Sequence, residues 1–186
     1  VTPRRLAFWL MIAALGTLIP NSSSYRAAFH LPAGVMSIVI STIPLIAFPL
    51  ALALGNDRFS WRRMAGLALG LIGVALIALP EASLPDRAMV AFLPLALIAP
   101  FCYAVEGNIV AKWGTAGLDP VQVLFGASAI GVVIALPLAL ATDQFRVPAV
   151  PLILADVTML MGSVIHVVVY TGYIWLVRRG GAVFAG

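Results

Sequence analysis

The stretch "GTLIPNSSSYRAAFHLPAG" (Gly16–Gly34) lies between two long apolar runs, Leu6–Ile19 and Ala33–Leu54, neither of which carries a charge. Read as a loop, Pro20, Asn21, Ser22, Ser23 and Ser24 form a turn between two helices. Read as a helix, they are the outer half of the first run. Their spacing favours the helix: Thr17, Asn21 and Ser24 recur at i, i+4 and i+7, which is one stripe of a helix and a regularity a loop does not need. A polar stripe in an apolar helix must face protein or water, so this reading makes the chain a helical bundle with a partly polar interior.

Composition leads to the same class. Apolar residues make up 62% of the 186 and charged residues 10%, whereas soluble domains carry about 25% charged residues. The apolar runs are roughly 20 residues long, enough to cross a hydrocarbon core of about 30 Å. Six spans are expected, at Leu6–Phe29, Ala33–Leu54, Trp61–Leu79, Ala88–Ala111, Pro120–Ala141 and Leu152–Val177. The fold class is therefore an all-α membrane protein, a polytopic transmembrane bundle. Short connections carry turn and cap chemistry: Gly55 as a stop with Ser60 as an N-cap, a proline-bounded "PEASLPD", and Asp119 capping a helix whose first turn holds Pro120. The chain opens on Val1 and closes on "GGAVFAG", which reads as the start of a seventh helix, so a piece of a longer protein is expected.

Several chemistries are disfavoured. One cysteine, Cys102, allows no internal disulfide, and no Cys/His spacing suits a metal. No glycine loop cradles a phosphate, so neither a cofactor nor ATP coupling is expected. Ser163 and His166 lie at i, i+3 like a nucleophile and base, but no GxSxG turn or orienting acid accompanies them, and no enzyme is expected.

The net charge of +4 sets orientation rather than nucleic-acid binding. If odd spans run outward, one face receives Arg4, Arg5, Arg58, Arg62, Arg63, Lys112, Arg178 and Arg179, and the other Arg26, Arg87 and Arg146. The first face is then cytoplasmic by the positive-inside rule. Sliding the chain by 148 residues lays Ser24–Ser37 over Gly172–Ala185, with Tyr25 on Tyr173 and Val35 on Val183. The two segments have opposite topology, as an inverted repeat requires, and such repeats typify secondary transporters.

The stretches "LPAGVMSIVISTIPLIAFPLALALG" and "FSWRRMAGLALGLIGVALIALP" resemble the end of an EamA repeat of the drug/metabolite transporter superfamily. "FLPLALIAPFCYAVEGNIVAKWGTAGLDP" is similar to the first helix of the second repeat, and "RRGGAVFAG" to the start of that family's ninth helix. The resemblance implies that the six spans are helices three to eight of ten. Residues 1–80 would then close the first repeat and 81–186 open the second. It further implies a multi-pass protein of the plasma or inner membrane, moving a small organic metabolite by alternating access. The partners expected are a small-molecule substrate and the lipid bilayer, with no nucleic acid. A channel or a non-transporting structural module is the alternative. Where that family often has Gly-Glu before its fifth helix, this chain has Gly55-Asn56-Asp57, so no role is carried over to that position.

Gly66, Gly70 and Gly73 share one helix face, suited to close packing within the chain or to a homodimer contact. Pro44, Pro49, Pro94, Pro100 and Pro137 lie inside spans, where each bends its helix. A second polar stripe, Ser163, His166, Tyr170 and Tyr173, recurs at i, i+3, i+7 and i+10, and Ser37 and Ser41 add a third. These stripes serve either interhelical hydrogen bonding or a substrate pathway. For the pathway, the candidates are Asn21, Ser24, Ser41, Tyr103, Glu106, His166, Tyr170 and Tyr173. Glu106 is the coupling candidate, since a buried carboxylate costs several kcal/mol unless paired, hydrated or protonated. The alternative is a Glu106 that snorkels to the interface or bonds a neighbouring helix, and a His166 that packs as a neutral ring.

Overall fold

The computed structural model describes residues 2–82, 87–148, 150 and 152–180. The first span is one rod of three parts: α1 (Pro3–Ile12), a π-helical segment (Ala13–Leu18) and α2 (Ile19–Ala28). The Gly16–Gly34 stretch is thus helical through Ala28 and not an early loop. Pro20 accounts for the change of winding, because it has no N–H to offer the carbonyl of residue 16 and its ring crowds that carbonyl. A wider turn just before it relieves both.

The second span is broken. It comprises α3 (Ala33–Ile40) and α4 (Ile43–Leu54), with Ser41 and Thr42 as a turn between them. Pro44 stands in the first turn of α4, so the break falls where a continuous helix would clash with its ring. Hydroxyls bond carbonyls at the break: Ser41 donates to the Ile38 carbonyl at 2.7 Å, and the Thr42 hydroxyl donates at 2.6 Å to the Val39 carbonyl, which also accepts from the Thr42 N–H at 3.1 Å. Gly55 ends α4 in the left-handed conformation, φ 70°, as its place after the last apolar residue suggests.

The remaining elements are α5 (Trp61–Ala82), a 3-10 turn (Arg87–Phe92), α6 (Leu93–Trp113), α7 (Pro120–Ala141) and α8 (Leu154–Gly180). Asp119 caps α7 as expected, and the structure adds a reciprocal capping box with Gln122. Five helical stretches are long and apolar enough to cross a membrane: Pro3–Ala28, Ala33–Leu54, Met89–Trp113, Pro120–Ala141 and Leu154–Val177. The third expected span is present as the single 22-residue helix α5. The expected seventh helix start, Gly181–Gly186, lies outside the described residues, as does most of the "PEASLPD" connection.

Helix α6 is central, contacting α2, α3, α4, α8 and the π segment. One core cluster joins Ile12 and Ala13 to Val110, Val123, Ala127, Tyr170, Ile174 and Val177; another joins Ala27, Leu31, Val35 and Val39 to Ala96. The outward surface is apolar instead of charged, with Phe125, Val133 and Val168 each exposed by more than two thirds (75%, 72% and 69%). That inversion suits lipid as the solvent.

Side chains fix which termini share an end of the bundle. Trp9 Nε1 donates to the Gln122 carbonyl at 3.1 Å, which brings the first third of the first span to the start of α7. Asn56 Nδ2 donates to the Asn108 carbonyl at 2.9 Å, and Lys112 Nζ donates to the Leu54 carbonyl, which ties the α4–α5 turn to the end of α6. At the opposite end Arg146 pairs with Asp156 at 3.2 Å across the α7–α8 connection. Gly66, Gly70 and Gly73 are not used for packing among the described residues, since a Cβ on each would meet nothing within 4 Å.

Candidate functional site

The two irregular points in the first and second spans lie beside the same side chain. Glu106, on α6, is fully buried at 0% exposure. Its Oε1 accepts a hydrogen bond from the Tyr170 hydroxyl of α8. Its Oε2 has no partner among the described residues and points at Gly16 of the π segment, where a Cβ would lie only 2.7 Å from it. Any side chain at position 16 would therefore fill the space that the carboxylate occupies.

A cavity of about 230 Å³ lies beside this residue. Gly16 and Ile43, the first residue of α4 after the break, form one side; Tyr103 and Glu106 of α6, one turn apart, form the floor. His166, Val169, Tyr170 and Tyr173 of α8 close the rest. The Tyr170 ring stands 5.5 Å from His166 and 6.0 Å from Tyr173, centroid to centroid. His166 is exposed at the rim and not packed in the interior. Among the described residues, no lysine or arginine borders the cavity.

The energetics explain why such an arrangement is uncommon. An ion taken out of water costs several kcal/mol, and one hydrogen bond to a charged group returns about 1.5–3 kcal/mol. Glu106 thus retains a deficit that a proton or a bound cation would remove. Asn108, two residues on, is also fully buried but is satisfied: its Nδ2 donates to Ala47 at 3.0 Å and Ala104 at 2.9 Å, and its Oδ1 accepts from Asn56 at 3.2 Å. Asn108 anchors α4 to α6, and Glu106 is left with an open valence.

Five of the eight expected pathway residues, Tyr103, Glu106, His166, Tyr170 and Tyr173, share this cavity. Asn21, Ser24 and Ser41 do not border it. Asn21 and Ser24 are half-buried on α2, and the neighbouring Ser23 is the buried serine there, donating to the Pro20 carbonyl at 2.9 Å. Ser22, Ser23 and Arg26 instead line a separate groove with Leu95 and Ile98. The Ser41 hydroxyl is occupied within its own helix break. Ser163 likewise donates to the Met159 carbonyl at 2.9 Å. Gly16, Ile43 and Asn108 were not legible as site residues, although Pro20, four residues after Gly16, marks where the helix must widen.

Residues 1–79 match the model of the EamA-like transporter family. No curated protein and no solved structure matches the chain. Five membrane-crossing helices and that match together make this a multi-pass integral membrane protein. Residues 1–79 are thus similar to the EamA-like transporter family, which is consistent with a member of the drug/metabolite transporter superfamily.

Proposed function

We propose that the protein is a secondary transporter that moves a small organic metabolite across the membrane by alternating access, with Glu106 handling substrate or proton. The observation that carries this reading is the buried, half-satisfied Glu106 in a cavity bounded by a π segment and a broken helix. Irregular backbone at membrane depth is tolerated where it lines a cavity or is covered by protein, and broken helices at mid-span are a recurrent way of building transport sites. Gly16 and Ile43 both fall near the middle of their stretches, Pro3–Ala28 and Ala33–Leu54, so the cavity lies near the middle of the bilayer. Two repeats of opposite topology, divided near residue 80, are part of the same proposal. The family match over residues 1–79 supports it.

The test is flux through the intact protein in sealed proteoliposomes. Candidate substrates come from untargeted metabolite profiling of cells that overproduce it. A transporter gives saturable uptake that follows an imposed gradient, and Glu106→Gln strongly reduces the part driven by a pH gradient. Flux that rises linearly with concentration would indicate a channel, and no flux a structural module.

A further inference from the structure

We propose that a groove along α2 and α6 is a binding site for one membrane phospholipid, with its phosphodiester on Arg26 and one acyl chain running down toward the middle of the bundle. The groove is separate from the Glu106 cavity, and the inference does not depend on the transporter reading. Three features support it.

The first is its course. A cavity of about 560 Å³ lined by Arg26, Phe29, His30, Phe92 and Leu95 adjoins one of about 340 Å³ whose lining includes Leu18, Ile19, Ser22 and Ile98. Arg26 and Leu95 border both, so the two form one groove. Each volume falls within the roughly 300–1,000 Å³ of ligand sites. Arg26 lies eight positions on from Leu18, which is about 12 Å of helix rise, against roughly 15 Å for half of a hydrocarbon core. Arg26 is also two residues from the end of the membrane-crossing stretch Pro3–Ala28, where lipid headgroups begin.

The second is the order of chemistry along the groove. Its deep end is aliphatic, with Leu18, Ile19, Leu95 and Ile98. The exposed Ser22 comes next, then the exposed Arg26, then the rings of Phe29, His30 and Phe92. An acyl chain, an ester-bearing glycerol, a phosphate and a headgroup follow in the same order. A guanidinium presents paired N–H donors that match a phosphate. Among the described residues no acid borders the groove, so no carboxylate there opposes an anion. A soluble anion would leave the aliphatic end unused, and an uncharged chain would leave Arg26 unused.

The third is that the groove is built and not a gap between loose helices. Ala27 and Ala96, both 0% exposed, share a buried cluster and pack α2 on α6. Small residues let two helices approach closely, and the larger side chains on either side stand up as walls. At the mouth His30 stacks on Phe92, with centroids 3.7 Å apart and planes within 10°, which ties the turn after α2 to the turn before α6. Tyr25 and Phe29, exposed beside Arg26, are of the type that anchors a helix at the membrane interface.

The experiment takes the intact purified protein, stripped of lipid in detergent, and titrates it while native mass spectrometry counts bound molecules. The probes are dioleoylphosphatidylglycerol, dioleoylglycerol, which keeps the chains without the phosphate, and glycerophosphoglycerol, which keeps the headgroup without the chains. One phosphatidylglycerol should bind, and the other two should bind roughly tenfold more weakly or not at all. Arg26→Gln should weaken the phospholipid roughly tenfold or more. Ser22→Trp keeps the charge but fills the groove between Arg26 and its deep end, and should weaken the phospholipid to a similar degree. Both positions are exposed, so either variant can serve alone should the other misfold. Arg5→Gln, on α1 at the opposite end, should leave this binding unchanged. Equal binding of dioleoylglycerol would make this a plain apolar groove, and equal binding of glycerophosphoglycerol a free-anion site. Either result would overturn the proposal, as would phospholipid binding that is absent, is unchanged in both groove variants, or falls as far with Arg5→Gln. No flux is measured, so phospholipid binding without transport would keep this inference and remove the transporter reading. Transport by a protein that holds no lipid would do the reverse.

Discussion

Gly16 of the first span faces the free oxygen of Glu106: a methyl group added at Gly16 would sit 2.7 Å from Oε2 and 3.1 Å from the carboxyl carbon. The contact joins residues 90 positions apart in a sequence that gives Gly16 no chemistry of its own. It also makes stability and function separable. Gly16→Ala displaces only the end of a flexible side chain, and alanine gains about 1 kcal/mol over glycine in a helix. The melting temperature of the purified variant should therefore stay within a few degrees of the parent, while substrate flux falls sharply. A variant that melts much lower, or transports normally, contradicts the packing described.

Tyr170 and Glu106 make a second prediction. Tyr170→Phe removes the hydroxyl that donates to Oε1 and leaves a buried carboxyl without a donor. The expected loss is about 1.5–3 kcal/mol in denaturant unfolding. Glu106→Gln removes the charge, so adding Tyr170→Phe to it should cost less than adding it to the parent. A double-mutant cycle should give a coupling of at least about 0.5 kcal/mol. Additive losses would mean the two groups do not interact.

What the sequence made legible follows from which assumption each reading used. Composition and run length need only the thickness of a bilayer, and five of the six expected spans are helical stretches long and apolar enough to cross one, including the one through Pro20. The α8 stripe assumed an unbroken α-helix, which α8 is through His166, Tyr170 and Tyr173, and those three meet at one cavity. The Thr17–Asn21–Ser24 stripe made the same assumption across Ala13–Leu18, where the winding is π, so the phase of everything beyond is shifted. Ser41 failed for another local reason: the helix breaks at Ser41 and Thr42 just before Pro44, and both hydroxyls fold back onto their own chain, at the Ile38 and Val39 carbonyls. Gly16 and Ile43 matter through position alone, which no residue-type argument reaches.

Asn108 supports a third prediction, on stability alone. Its amide donates to carbonyls of α4 and of its own helix and accepts from Asn56, all in the buried centre of the α4–α6 contact. Asn108→Ala removes the side-chain bonds to the Ala47 and Ala104 carbonyls and opens a cavity, and about 2–4 kcal/mol should be lost. Asn56→Ala, at a half-buried turn, should cost under about 1.5 kcal/mol. Unfolding in graded denaturant separates the two; the reverse order would place the anchor in the turn instead of in α6.

The last prediction concerns orientation, which charge and structure constrain separately. The basic residues near one end outnumber those near the other, so the positive-inside rule predicts that this end is cytoplasmic. The hydrogen bonds from Asn56 to Asn108 and from Trp9 to Gln122 gather the first third of the first span, the α4–α5 turn and the α6–α7 connection at that same end. Single cysteines at Phe59, which is 53% exposed, and at Ala116 should then react with a membrane-impermeant maleimide only from the cytoplasmic side. One at Gln144, in the exposed connection before α8, should react only from outside. The native Cys102 is 5% exposed, so it should contribute little background. Labelling of positions 59 and 144 from one side would require a helix between them to re-enter instead of crossing. Labelling of all three with sides exchanged would keep the bundle and invert the reading of its charges.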